Sequence, residues 1–286
     1  MRSPRVLAVD VGAGHVACGV FTTGASGRLV LQQFALEPHS SDPSHEARSA
    51  VEIAQSLGAI ASRQKLSGPS SLAVPGHLAL TKFIKTPSVA KEKRDKIVAF
   101  EAAENIPYPL EEVVWDYAVV SDDSFDLEVM LAAVKFDALQ SLCTAADSAG
   151  FAPERAIPAS LALCHAFRYN YPDVRDSVVV VNVGARSTTL LFLEGPRFYA
   201  RTLPLAGNAV TLTIAEELRI DFAAAETLKI QVLSGRSDLP ATSPARAAVQ
   251  RAAATFATKL QLEITRSTVN HRRHSGAGAL VGVYLT

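Results

Sequence analysis

Residues 6–15 read Val-Leu-Ala-Val-Asp-Val-Gly-Ala-Gly-His, and residues 178–187 read Val-Val-Val-Val-Asn-Val-Gly-Ala-Arg-Ser. Each stretch is an apolar, largely β-branched run, typical of a buried strand, that ends in a glycine turn. Asp10 and Asn182 occupy the same position, two residues before the first glycine of the turn. Two further strand-like segments follow each turn. The sequence therefore predicts two copies of one three-stranded meander.

Glycine turns of this kind can hold phosphate. A strand that ends in a carboxylate and a glycine turn presents backbone amides to a phosphate, while the carboxylate holds a metal-bound water. Two such hairpins facing each other would grip a triphosphate, with Asp10 beside Mg²⁺. An ordinary hairpin turn is the alternative for either sequence alone. The candidate cofactor-binding residues here are Asp10, Gly12, Ala13, Gly14, Asn182, Gly184, Ala185 and Arg186, with Asp10 as the candidate metal ligand.

The composition is that of a globular protein without a dominant charge. Of 286 residues, 48% are apolar, and 28 basic residues balance 28 acidic ones, which argues against nucleic acid as a partner. Apolar runs are far shorter than the roughly 20 residues of a membrane span, so direct membrane insertion is not expected. The three cysteines lack metal-site spacing and indicate a reducing compartment. The sequence predicts a cytoplasmic protein with two domains.

The segment between the two meanders predicts a separate α+β unit. Apolar spacing predicts a helix over 46–64 and a short buried strand over 71–75. The pattern then predicts a strand over 82–86, a helix over 89–105, a hairpin over 113–134 and a helix over 136–149. Residues 156–157 form a strand remnant before a helix over 159–168. Strand, helix, hairpin and helix together make a compact unit.

Several motifs carry a resemblance to a known family. They are Val74-Pro75-Gly76, Lys82-Phe-Ile-Lys-Thr-Pro87, the run 100–117, and the shorter segments 198–201, 206–211 and 225–229. Together they resemble the PilM family of type IV pilus assembly proteins, which belongs to the actin-like ATPase superfamily and is similar to FtsA. The resemblance implies an α/β, actin-like (ribonuclease H-like) two-domain fold with an inserted α+β subdomain. The implied ranges are 1–81 with 151–174 for the first core, 82–150 for the insertion and 175–286 for the second domain.

The resemblance also implies ATP and Mg²⁺ as cofactors. Glu226 and Lys229 stand one helical turn apart, so both can point at one ligand. In actin-like folds such a pair contacts the ribose and base, and Gly207 joins the implied cofactor-binding residues. Asn182 replaces the aspartate that is usual in the superfamily, so at most a weak ATPase is expected. Ala17 stands where family members often have lysine, and Arg186 is a candidate replacement for that charge.

The end of the chain departs from the family pattern. Residues 266–276 resemble the segment before the family's last conserved strand, and residues 282–286 resemble that strand. In the family, a glycine-rich adenine-binding turn follows. We therefore expect an incomplete second domain, either in a fragment of a longer product or in a natural short variant.

The function implied by the resemblance is that of an adaptor at the inner membrane. It would bind the N-terminal cytoplasmic tail of a PilN-like inner-membrane partner, alongside other pilus machine subunits. The tail would lie in the groove between the first core and the insertion, and nucleotide would set the shape of that groove. Its expected neighbours are Pro75, Gly76, Lys82, Phe83 and Ile84. The alternatives are an FtsA-like division protein, a type II secretion platform subunit, and a small-molecule kinase of the superfamily, for which no catalytic base can be assigned.

Overall fold

The computed structural model describes residues 5–38, 46–123, 125–195, 197–275 and 279–286. In chain order the elements are β1 (Val6–Val11), β2 (His15–Thr23), β3 (Leu29–Pro38), α1 (Glu46–Gln64), β4 (Gly68–Val74), β5 (Ala79–Pro87), α2 (Lys91–Asn105), a 3₁₀ turn (Leu110–Glu112), β6 (Val113–Asp122), β7 (Asp126–Lys135), α3 (Phe136–Ser148), β8 (Phe151–Pro158), α4 (Ala159–Asn170), β9 (Val178–Val183), β10 (Thr188–Glu194), β11 (Arg197–Leu203), α5 (Gly207–Leu218), α6 (Phe222–Leu233), α7 (Pro244–Ser275) and β12 (Gly282–Leu285).

Two sheets repeat one topology. Their strand orders are β3-β2-β1-β4-β8 and β11-β10-β9-β12. In each sheet the meander is antiparallel, and a later strand joins its first strand in parallel, β4 beside β1 and β12 beside β9. Asp10 pairs with Ala17 and Asn182 pairs with Thr189, so the two residues have the same register. The duplicated meander and the last strand, both predicted from the sequence, are confirmed.

The first sheet is covered by α1 and α3. Apolar side chains of β1 and β4 alternate inward and meet Leu57 and Ile60 of α1, and all of these are almost fully buried. Helix α3, which lies within the range 82–150, contributes Leu142 and Ala146 to this same core. Its apolar face therefore packs beside α1, and the three-stranded sheet described next has α2 as its own helix.

The insertion is built on an antiparallel sheet with the order β5-β7-β6. Along β7 the side chains alternate between two faces. Leu127, Val129 and Leu131 face α2, while Met130 packs with the core of the second sheet. Phe83 of β5 turns the same way as Met130, with which it pairs. The insertion is thus held between its own helix and the second half of the chain.

The second sheet packs against helices on both faces. Helix α7 covers one face with Phe256, Leu260 and Ile264, and α4 covers the other with Cys164 and Phe167. The sequence analysis did not predict the extent of α5, α6 and α7. It also predicted β8 as a remnant, whereas β8 spans eight residues. The reason is its place at the sheet edge, where prolines and charged residues are tolerated and apolar alternation is weak.

Candidate functional site

The two glycine turns have the same backbone geometry. A Cβ built at Gly12 would lie 2.9 Å from the carbonyl oxygen of His15, and one at Gly184 would lie 2.9 Å from that of Ser187. Non-bonded atoms prefer separations of roughly 3.5 Å or more, so either position accepts only glycine without movement. The Gly184 amide donates to the Ser187 carbonyl at 3.0 Å and closes the second turn. Both turns are therefore tight, and glycine is the residue that fits them.

The tips of the two turns meet. A Cβ at Gly14 would lie 2.9 Å from the Cβ of Ala185. Next to this contact, a Cβ at Gly76 would lie 3.4 Å from the hydroxyl oxygens of Thr189 and Thr202. Gly14 and Gly76, in the first half of the chain, thus allow its backbone to approach the second half closely. The structure brings both predicted turns to one place between the two sheets.

Asp10 is the penultimate residue of β1, at the base of the first turn. Its side chain keeps contact with solvent, yet enclosure by the surrounding protein raises the pKa of its carboxyl, and the nearby His15 partly lowers that pKa. A Cβ at Gly12 would lie 3.8 Å from two ring atoms of His15, so the imidazole lies beside the turn. The sequence analysis did not single out His15. Its position as the first residue of the returning strand was the available signal.

The predicted residues of the second half gather beneath the second turn. The amide of Gly207 donates to the Gly184 carbonyl at 2.9 Å, and the amide of Asn208 donates to the Ala185 carbonyl at 2.9 Å. These bonds hold the start of α5 against the turn. Lys229 reaches the same helix, because its Nζ donates to the carbonyl of Gly207 at 3.4 Å.

Glu226 and Lys229 bind each other. Lys229 Nζ lies 2.7 Å from Glu226 Oε2 and donates to the hydroxyl of Thr211 at 2.9 Å. The Thr211 hydroxyl, which is fully buried, also donates to Glu226. The pair therefore fastens α6 to α5 beside Gly207. The charges of the pair are largely satisfied within the protein, and the pair lies next to the second turn.

A metal carried by a nucleotide fits these residues. Among the described residues, no group of three or more His, Cys, Asp or Glu side chains is placed to hold an ion alone. Mg²⁺ bound to nucleotide phosphates needs only one or two protein carboxylates and retains several waters. Asp10 would supply the carboxylate, and Asn182 offers an amide oxygen at the equivalent strand position.

The five predicted partner-binding residues do not share one surface. Lys82 Nζ donates to the Asn105 carbonyl at 3.5 Å, and Ile84 lies in the core beneath α2. Phe83 faces the opposite way, with its ring centroid 5.4 Å from that of Phe198. Gly76 faces the second half of the chain, directly after Pro75. Alternation along β5 explains the split, because neighbouring residues of a strand point to opposite faces.

A separate groove lies between the first core and the insertion. We call it the tail groove. It has a volume of about 240 Å³, and its walls come from β6 and β7 on one side and from β4, α3, β8 and α4 on the other. Its lining residues are Val74, Val114, Trp115, Asp116, Tyr117, Ala118, Met130, Ala132, Val134, Leu139, Ala156, Ile157, Pro158 and Leu161. None of the partner-binding residues predicted from the sequence lines this groove.

Known proteins match this chain over the turns and the insertion described above. A family model described as "Type IV pilus assembly protein PilM" matches residues 8–258, which include both turns and the insertion. The chain belongs to the PilM family. A chain of the PilM-PilN type IV pilus biogenesis complex is 22% identical, with a TM-score of 0.79 over 98% of this chain and 81% of that chain. The ethanolamine utilization protein EutJ from Carboxydothermus hydrogenoformans is 14% identical, with a TM-score of 0.56 over 100% of this chain and 77% of that chain.

These findings confirm the PilM family and the actin-like α/β fold predicted from the sequence. They favour none of the three alternatives, namely an FtsA-like division protein, a type II secretion platform subunit and a small-molecule kinase. Within the described part of this PilM family member, none of the helices is both long and apolar enough to cross a bilayer.

Proposed function

We propose that this PilM family member is an adaptor of type IV pilus assembly that binds the N-terminal cytoplasmic tail of a PilN-like inner-membrane protein in the tail groove. The chain would lie at the cytoplasmic face of the inner membrane through this partner, among other pilus machine subunits. The observation that carries the proposal is the groove itself. It is apolar, and it lies between β6 and β8, the outer strands of two different sheets. The similar solved structure is that of a PilM-PilN complex.

Two outer strands suit an extended peptide. Backbone groups at the edge of a sheet can pair with an added strand, while alternate side chains of the peptide enter pockets. On β6, the amide of Tyr117 donates to the side chain of Asp116 at 2.8 Å. A peptide carbonyl could take the place of that carboxylate. Along β8, Ala156 is exposed and Ile157 half-buried, so the opposite wall offers apolar contact.

The tail proposal is tested by calorimetric titration with a synthetic peptide of the PilN-like partner's tail. Val114 of β6 lines the groove and is 44% exposed, so Val114→Asp adds a charge there without burying it in the core. Val119, on the same strand and 43% exposed, lies outside the groove and gives the matched control Val119→Asp. We expect Val114→Asp to weaken peptide binding about tenfold or more, from the burial of an unpaired charge. Equal binding by both variants would move the tail elsewhere.

The second part of the proposal is that the facing turns bind ATP with Mg²⁺. The backbone amides of the first turn and of the second would contact the phosphates, Asp10 would hold the metal, and Glu226 and Lys229 would lie near the nucleoside. The support is the same close glycine–carbonyl approach in the two turns and the assembly of Gly207 and Lys229 beside the second. Hydrolysis should be weak, because Asn182 leaves Asp10 as the single carboxylate of the two turns.

Nucleotide binding is tested separately from peptide binding by thermal unfolding with and without Mg²⁺–ATP. Ligand that binds only the folded state raises its stability by mass action. Asp10→Ala should reduce the ATP-induced shift, while the exposed control Asp173→Ala should retain it. An unchanged shift in Asp10→Ala would remove Asp10 from the site. A tail peptide that binds in the absence of any ATP shift would leave the adaptor role intact.

A further inference from the structure

Strand β11 has a free edge that the adaptor role does not use. It is the outer strand of the second sheet and pairs with β10 only. Its first residues meet the insertion, where the ring of Phe83 lies 5.1 Å from that of Tyr199. Across the described ranges, no backbone hydrogen bond reaches residues 199–203 from outside this pairing. Such an edge can accept another strand.

A depression lies on each side of this edge. The first has a volume of about 720 Å³ and faces β5 and the insertion, and the second has a volume of about 470 Å³ and faces α7. Arg201, Thr202 and Leu203 line both. Because successive side chains of a strand point to opposite faces, a strand added to β11 would place its side chains alternately in the two depressions.

Both depressions are basic with apolar floors. Lys135, Arg186 and Arg201 line the first depression, and no carboxylate is among the described residues that line it. Lys259 and Arg266 line the second, together with the carboxylate of Glu263. Glu263 lies 3.0 Å from Arg266 and 3.9 Å from Arg201, so it offsets part of this charge. Five cationic side chains against one carboxylate leave the edge positive in a chain whose net charge is zero.

We propose that the free edge of β11 binds an extended acidic segment of a partner protein by strand addition. Main-chain bonds to residues 199–203 would give the segment its direction, and carboxylates on its two faces would bind the arginines and lysines of the two depressions. Five strand residues span about 16 Å, which matches a segment of five to seven residues. This surface is separate from the tail groove, so the proposal does not rest on tail binding.

The test uses the full chain and a fluorescein-labelled heptapeptide, Glu-Glu-Val-Val-Glu-Glu-Val, which has carboxylates on both faces when extended; binding is measured by fluorescence polarisation. Two comparison peptides separate the contributions: one with Lys in place of Glu, and one with alternate amides N-methylated. We expect the Lys peptide and the N-methylated peptide each to bind about tenfold more weakly, because they lose the charge pairs and the main-chain donors respectively. Binding of the acidic peptide should weaken with added salt.

Protein variants locate the site. Arg201→Glu and Lys259→Glu reverse charges beside the edge, one shared by both depressions and one on the α7 side. Each should raise the dissociation constant about tenfold, whereas Arg236→Glu, an exposed cation outside both depressions, should leave it unchanged. Unfolding temperatures confirm that each variant is folded. Equal binding of the N-methylated peptide, or equal loss in Arg236→Glu, would reduce the effect to general charge attraction and overturn the proposal.

Discussion

Replacing Gly14 by alanine tests the contact between the two turns. The new Cβ would lie 2.9 Å from the Cβ of Ala185, whereas carbon atoms settle at roughly 3.5–4.0 Å, so the tips must separate by about 0.6–1.1 Å. Overpacking of this kind costs about 1–3 kcal/mol. Alanine also reduces the conformational freedom of the unfolded chain, which offsets about 0.4–1 kcal/mol of this loss of stability. Gly14 is not among the glycines with positive φ, so no backbone strain is added. The expected net loss is about 1–2 kcal/mol.

Urea unfolding of four proteins measures this contact as a double-mutant cycle. They are the wild type, Gly14→Ala, Ala185→Gly and the double variant. Removing the Ala185 methyl gives the new Cβ room, so the double variant should be more stable than the two single losses predict, by about 1 kcal/mol or more. Additive losses in the double variant would show that the tips do not touch in solution, and the reasoning from this contact would fail.

Three other perturbations have defined outcomes. Asp10→Asn should raise the unfolding free energy of the nucleotide-free protein in EDTA at pH 7, because enclosure by the surrounding protein raises the carboxyl pKa and disfavours its charged form. Urea unfolding at lower pH checks the cause. The gain in stability should shrink as the pH falls through the raised pKa of the wild-type carboxyl. Lys229→Met should cost about 1–3 kcal/mol in the absence of nucleotide, because it leaves Glu226 without its cation, and Lys259→Met is the exposed control for thermal unfolding. Burial raises the pKa of Cys18 to about 12, so its thiol should react with Ellman's reagent at pH 8 only as fast as the protein opens.

The sequence predicted the parts of the fold whose signal is local. The two meanders can be recognised in the sequence because each has a β-branched run, a polar residue and a glycine turn at the same spacing. In the structure, the first glycine of each turn makes the same close approach to a carbonyl oxygen three residues later. Helix α1 was predicted with the same bounds, since its apolar residues recur at helical spacing over a long segment. Where such periodicity is long and uninterrupted, local physics decides the element.

The partner surfaces could not be predicted in this way. Phe83 and Ile84 are adjacent and apolar, but strand alternation sends one towards the second half and the other beneath α2. The lining of the tail groove comes from β4, β6, β7, α3, β8 and α4, which no single motif contains. The pairing of Glu226 with Lys229 fits their spacing, whereas their common partner Thr211 lies 15 residues or more away. Groove residues depend on how distant strands are brought together.

The positions of the two partner surfaces connect both of them to the nucleotide turns. The tail groove is lined by residues between Val74 and Leu161, all from the first core and the insertion. Three of them, Ala118, Met130 and Leu161, also pack in the core of the second sheet, so a ligand that moved the second half against the first through the turns would also shift the tail groove, in line with the expectation that nucleotide sets its shape. The first depression beside β11 is lined from both halves, by Gly76 on one wall and Arg186 on the other, and Arg186 follows Ala185 at the tip of the second turn. Because a ligand shifts an equilibrium only by its differential affinity for the two states, Mg²⁺–ATP should alter binding of both the acidic peptide and the tail peptide, and unchanged binding of either peptide would separate its surface from the turns.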